Sequence, residues 1–107
     1  MNKNRDLAAL GRIANLLRDL RLSDLSQARA ARQASLDRLA DLKPLPSLDL
    51  DAAAEAMVAL RYQIWADLRR TEIEPVLASQ TAKVVETTRQ AREAVGKAEV
   101  LRKLTGC

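Results

Sequence analysis

The stretch KPLPSLDLD, residues 43–51, lies between two long charged segments rich in leucine and alanine, and it holds two of the chain's three prolines. Pro44 and Pro46 each remove a backbone donor and push the preceding residue out of helical space, so a helix arriving from the N-terminal side must stop at about Leu42. Ser47 or Asp49 can cap a helix leaving on the other side, and Asp49, Asp51 and Glu55 put negative charge where the dipole of that helix favours it. A connection this short between long amphipathic helices makes them antiparallel neighbours. The stretch therefore reads as the turn of a hairpin and not as a linker between domains.

Working outward, the composition fits that reading. The 107 residues are 30% charged, with three glycines, one Trp, one Tyr and no Phe, which leaves little bulk for a globular core. The apolar content is mostly Ala and Leu, which with Arg and Glu are strong helix formers. The fold class is all-α: an elongated antiparallel two-helix hairpin, a coiled coil. It forms one helical-hairpin domain over residues 1–107, with a helix at about 5–42, a turn at 43–48 and a longer helix at about 49–104.

With no His and a single Cys, Cys107, the chain cannot build within itself a zinc site, a His-based triad or a disulfide framework. Cys107 reads as a bystander at the tail. Carboxylates are plentiful, but no acid–base pair or nucleophile constellation can be named, so neither an enzyme nor a cofactor or metal is expected. No uncharged apolar run approaches the roughly 20 residues that span a bilayer. MNKNRDLAAL at the start lacks the apolar centre of a signal peptide, so the expected location is cytoplasmic.

In the first helix, indexing the larger apolar residues gives the stripe Leu7, Leu10, Ile13, then Ala14, Leu17, Leu20, then Leu25, Ala28, Ala31, then Leu36, Leu39, Leu42. One seven-residue step and two eleven-residue steps keep it on one face, and an eleven-residue repeat predicts a straight or weakly right-handed helix. Strict seven-residue spacing fails by this index, because Asp24 and Gln27 fall where Leu17 and Leu20 point. Arg21 and Arg32 project near the middle of the stripe. Either their stems cover the seam while the guanidinium groups reach water, or they meet carboxylates of the facing helix.

The second helix carries Ala53, Met57, Leu60, Ile64 and Leu68 on one face, meets Pro75, and resumes with Leu77, Thr81, Val84, Thr88, Ala91, Val95 and Ala98. Pro75 cannot bond back to the Thr71 carbonyl, so the helix is predicted to kink or break there. The later side chains are small. They permit close approach of a partner backbone, or they serve simply as helix formers.

At 1.5 Å per residue the helices span roughly 57 and 80 Å. Folding about residues 45 and 46 sets the middle of the first helix against Met57–Leu68 and residue 5 against about residue 86. Residues from about 87 to 104 then overhang without a partner, and a lone helix that short is marginal in water.

Charge follows the same axis: residues 1–43 are net +4, 44–75 net −3 and 76–107 net +3. The rod is basic where its two termini meet and acidic near its turn. Arg89, Arg92, Lys97, Arg102 and Lys103, with Lys3, Arg5 and Arg12 beside them, make that open end a basic plug. Val58, Tyr62, Trp65 and Arg69 form a separate stripe off the apolar seam. Trp, Tyr and Arg dominate many binding interfaces, which makes the stripe a candidate protein contact. The other reading is that a dimer or a folded-back segment covers it.

Two long antiparallel helices, basic ends, few aromatics and the closing stretch QAREAVGKAEVLRKL at 90–104 resemble the flagellar export stalk family (FliJ) and its type III secretion relatives. The resemblance covers most of the chain and is architectural. It implies a non-catalytic rod that enters the central hole of a hexameric export ATPase ring and contacts the membrane-bound export gate and substrate chaperones. A small helical export chaperone or adaptor that holds a client helix is the alternative. Nucleic acid is disfavoured as a partner, because acidic residues are interleaved throughout and no stacking aromatic surface is present. At the membrane, peripheral association is the most the sequence suggests: Asp6 and Asp19 beside Arg12 and Arg18 mark residues 5–22 as a solvated protein surface.

Overall fold

The computed structural model describes residues 2–47 and 49–106. It holds two helices, α1 (Lys3–Ala40) and α2 (Ala52–Leu104), packed against each other in a rod of 86 × 22 × 13 Å. The all-α antiparallel hairpin is as the sequence predicts. Leu48 of the turn and Cys107 lie outside the described residues.

Capping explains where the helices begin. The Asn2 side chain accepts the Arg5 N–H at the start of α1, and Asp51 accepts the Ala54 N–H at 2.7 Å at the start of α2. The second helix therefore starts at Ala52 and not at about 49, and its cap is neither Ser47 nor Asp49. Asp51 is the acidic residue that directly precedes the run Ala52, Ala53, Ala54, Glu55, where helix propensity first becomes uninterrupted. At the other boundary α1 stops at Ala40, two residues short of the predicted end, and the Leu42 N–H closes a tight last turn onto the Leu39 carbonyl. Pro75 does not break α2, which is one continuous helix across it. Thr71 and Pro75 both lie on the exposed side, so the carbonyl that Pro75 leaves without a donor faces solvent.

The connection is longer and straighter than a tight turn. Residues 41–47 and 49–51 run as a strap along the first five turns of α2. The Leu42 carbonyl accepts from Arg70, the Lys43 carbonyl accepts from Tyr62 Oη, and Ser47 Oγ donates to Glu55. Because the strap takes up this length, α1 pairs with a later part of α2 than predicted. Arg32 meets Thr81 and Ser35 meets Gln80, so the register is centred on about residue 57 and not on 45 and 46. The expected C-terminal overhang is absent: Ala8, Gly11 and Asn15 lie across from Val95, Ala98 and Arg102. It is the N-terminal part of α2 that extends past α1, with the strap in place of a partner helix.

The seam differs as well. Along α1, Leu7, Gly11, Ala14, Arg18, Arg21, Leu25, Ala28, Arg32, Ser35 and Leu39 are all buried or half-buried, at alternating steps of four and three. Along α2 the same alternation runs Ala66, Arg70, Ile73, Leu77, Gln80, Val84, Thr87, Ala91, Ala94, Ala98, Leu101. This is an uninterrupted seven-residue repeat, the spacing of left-handed coiled coils, in place of the predicted eleven-residue one. Small residues dominate its fully buried positions, so close approach is what Ala91, Ala94 and Ala98 provide. Its polar members are satisfied: Ser35 Oγ donates to Gln80 Oε1 at 2.6 Å, and Thr87 Oγ1 donates to the Lys83 carbonyl at 2.8 Å.

Candidate interfaces at the two ends of the rod

The turn end is built on the strap. Ala66 is 1% exposed beneath it, between Tyr62 and Arg70, whose side chains hold the Lys43 and Leu42 carbonyls one turn away on either side. This arrangement splits the predicted aromatic contact stripe. Val58 and Tyr62 are half-buried against the folded-back strap, which is the second of the two readings of that stripe. Trp65 remains 50% exposed, its ring 5.6 Å from that of Tyr62, and Arg69 is exposed in an ion pair with Glu72 at 2.8 Å. Of the four residues, only Trp65 and Arg69 stay open to a partner.

On the far side of the same turns, Met57, Leu60, Ile64 and Leu68 are each more than half exposed. They were predicted to face the first helix. The shift in register leaves them with no helix to face, since α1 ends across from about residue 74.

At the terminal end, α1 residues 3–22 flank α2 residues 90–104, which sets Lys3, Arg5 and Arg12 at the same end as Arg92, Lys97, Arg102 and Lys103, while Arg89 lies further in, across from about residue 25. Several are already engaged along α2: Arg89 with Glu86 and Glu93, Lys97 with Glu93, and Arg102 with Glu99. These contacts hold the three carboxyl groups below the ordinary value of 4.5, through hydrogen bonds from Arg89 to Glu86, Lys97 to Glu93 and Arg102 to Glu99 above all. Arg5, Arg12 and Arg92 have no ion-pair partner among the described residues, and Lys103 is exposed beside them. Arg21 and Arg32 meet no carboxylate of the facing helix. Arg21 pairs with Asp24 of its own helix at 3.6 Å, and Arg32 donates to Thr81.

Between the helices at this end runs a shallow groove of about 660 Å³, lined by Leu10, Ile13 and Leu17 on one wall and Val100 on the other. Leu10, Ile13 and Leu20 are more than half exposed. Reading the larger apolar residues as the seam hid this surface. An index that placed Gly, Ala and Ser on the seam would have shown Leu10, Ile13, Leu17 and Leu20 as a second stripe beside it. No metal-binding cluster of His, Cys, Asp or Glu occurs among the described residues, and no helix among them is long and apolar enough to cross a membrane. Compared with known proteins, the chain matches no family model, no curated protein and no solved structure.

Proposed function

We propose that the chain is a non-catalytic coiled-coil stalk or adaptor of a flagellar or type III protein-export apparatus. Its basic terminal end enters the ring of the hexameric export ATPase, and its turn end contacts the export gate through Trp65 and Arg69; substrate chaperones are further partners. The observation that carries this reading is a rod 86 Å long and only 22 × 13 Å across, with charge segregated along its length. Residues 1–22 and 90–107 together hold nine basic and four acidic side chains, net +5, whereas residues 41–75 hold four and seven, net −3. A narrow shaft with a cationic tip suits a tight protein cavity and steers its own approach to an acidic rim.

The test reverses the unpaired cations and leaves the seam intact. Arg5→Glu, Arg12→Glu and Arg92→Glu together should abolish ring binding and stimulation of ATP hydrolysis while the helical circular dichroism signal is retained. Trp65→Ala should spare stimulation and weaken the gate contact. Full stimulation by the triple variant would sink the plug assignment. Deleting residues 90–107 would be a poorer test, because that segment is the partner of α1 and its loss would unfold the end being probed. The apolar groove favours a second reading, a small helical export chaperone or adaptor that holds a client helix there.

A further inference from the structure

We infer that the terminal groove and the exposed face of the turn end are the two halves of one self-interface: a second copy of this chain, lying antiparallel, seats its Met57–Leu60–Ile64–Leu68 face against the groove at Leu10, Ile13 and Leu17 and the exposed Leu20 that continues this stripe, and receives the reverse contact. The inference does not rest on the export reading, and because the pair covers the terminal end, the chain would enter a ring only as the dissociated monomer.

Three observations carry it. The first is apolar match. Each patch is four large side chains at steps of three and four residues, about 15 Å long at the helical rise. Seven of the eight residues are more than half exposed, with Leu17, at 36%, the exception. Neither α1 nor α2 covers them.

The second is charge. The groove sits in the +5 end and the opposing face in the −3 end, so an antiparallel copy sets opposite signs together at both contacts, whereas a parallel copy sets like against like.

The third is area. A compact chain of 11.8 kDa exposes about 5,900 Å², whereas this one exposes 8152 Å². The excess is well above the roughly 800 Å² per partner that a stable interface removes. Because each copy offers one groove and one face, the antiparallel pair closes with two-fold symmetry and satisfies all four patches.

Sedimentation equilibrium on the full chain, with Ile13→Glu and Ile64→Lys as variants, tests this. Both sites are exposed, and a helical circular dichroism spectrum checks that each variant keeps its fold. The wild type should sediment at twice the chain mass, with dissociation rising at least tenfold between 50 mM and 500 mM NaCl. Each variant alone should be monomeric, because either substitution damages both contacts of a symmetric pair. Mixed in equal amounts, the two variants should recover a dimer, since one contact of the mixed pair is then wild type and the other sets Glu against Lys. A monomeric wild type at 100 μM, as a groove reserved for a client helix would give, overturns the proposal. So does an open polymer, or a dimer that neither substitution disturbs.

Discussion

The two ends of α2 solve the same packing problem with different materials. From about residue 73 onward its inner face lies against another helix, whereas from 52 to about 70 it lies against an extended strap. The helix-paired region can use Ala91, Ala94 and Ala98 because α1 presents a regular surface whose backbone comes close at every turn. The strap-covered region needs donors of its own. An extended segment has no internal hydrogen bonds, so its carbonyls are taken up by Tyr62 and Arg70 reaching from the helix. Polar anchors thus do for the strap what a repeating seam does for α1, and only the seam can be extended without limit.

Pro75 stands where the two regions meet, just past the point where α1 ends across from α2, and replacing it gives the largest expected effect. In a helix interior Pro is about 3 kcal/mol less favourable than Ala, offset in part by the freedom that Ala restores to the unfolded chain. Pro75→Ala should therefore raise stability by about 2–3 kcal/mol in urea denaturation. It should also make the strap-covered turns exchange amide hydrogens together with the rest of α2. Slower exchange confined to residues 76–104 would mean that the two regions are uncoupled for a reason other than the proline.

How much of this was legible follows from what each signal depends on. Local chemistry fixed the two helices and the reversal between them, because Pro44 and Pro46 act on their own neighbours whatever the tertiary fold. Register was not local. It depends on how far the chain travels before α2 is capped, and moving the cap from Ser47 or Asp49 to Asp51, with the strap extended, displaced every cross-helix pair. The seam was hidden by the assumption that the largest apolar residues go inside. In a rod 13 Å thin, a seam residue has water on either flank, so small side chains that let the backbones approach are buried, while Leu10, Ile13, Met57 and Ile64 remain outside. Arg18, Arg21 and Arg32 are tolerated on the seam for the same reason: their stems pack while their heads reach solvent or a side-chain acceptor. The aromatic stripe is legible because one helix face carries Val58, Tyr62, Trp65 and Arg69, but its division is not, since that depends on the strap that covers Tyr62 and leaves Trp65 open.

The comparison sharpens when one residue type is enlarged in both regions. Ala94, in the helix–helix seam, is 4% exposed, and Ala66, beneath the strap, is 1% exposed; burial alone ranks Ala66 as the more sensitive. Rigidity predicts the opposite order. Making room for Leu at 94 requires two helices to separate along several turns, and overpacking of this kind costs about 1–3 kcal/mol. At 66 only the strap must lift, and it is held by a few side-chain hydrogen bonds. Ala94→Leu should thus lower the urea midpoint clearly, and Ala66→Leu should cost less than about 1 kcal/mol. Equal losses would show that the strap is as stiff as α1.

The smallest effect separates the two regions by pH. Glu86, Glu93 and Glu99 all lie in the helix-paired region, and their cationic neighbours on α2 hold each carboxyl below its ordinary value of 4.5. A carboxyl whose value is lower in the folded chain than in the unfolded one binds its proton more readily when unfolded. The stabilisation is therefore complete above about pH 4.5 and is lost as the pH falls through the depressed folded values. These pairs are exposed, so the loss is modest and screened by salt, but it is confined to α2 beyond residue 85. Amide protection, corrected for the intrinsic pH dependence of exchange, should fall across residues 86–102 between pH 5.5 and 3 before it falls in the strap-covered turns. Glu86→Gln, Glu93→Gln and Glu99→Gln together should remove that difference without changing the exchange pattern at the turn end. If the triple variant keeps the same acid response, the pH sensitivity of the terminal end does not arise in these ion pairs.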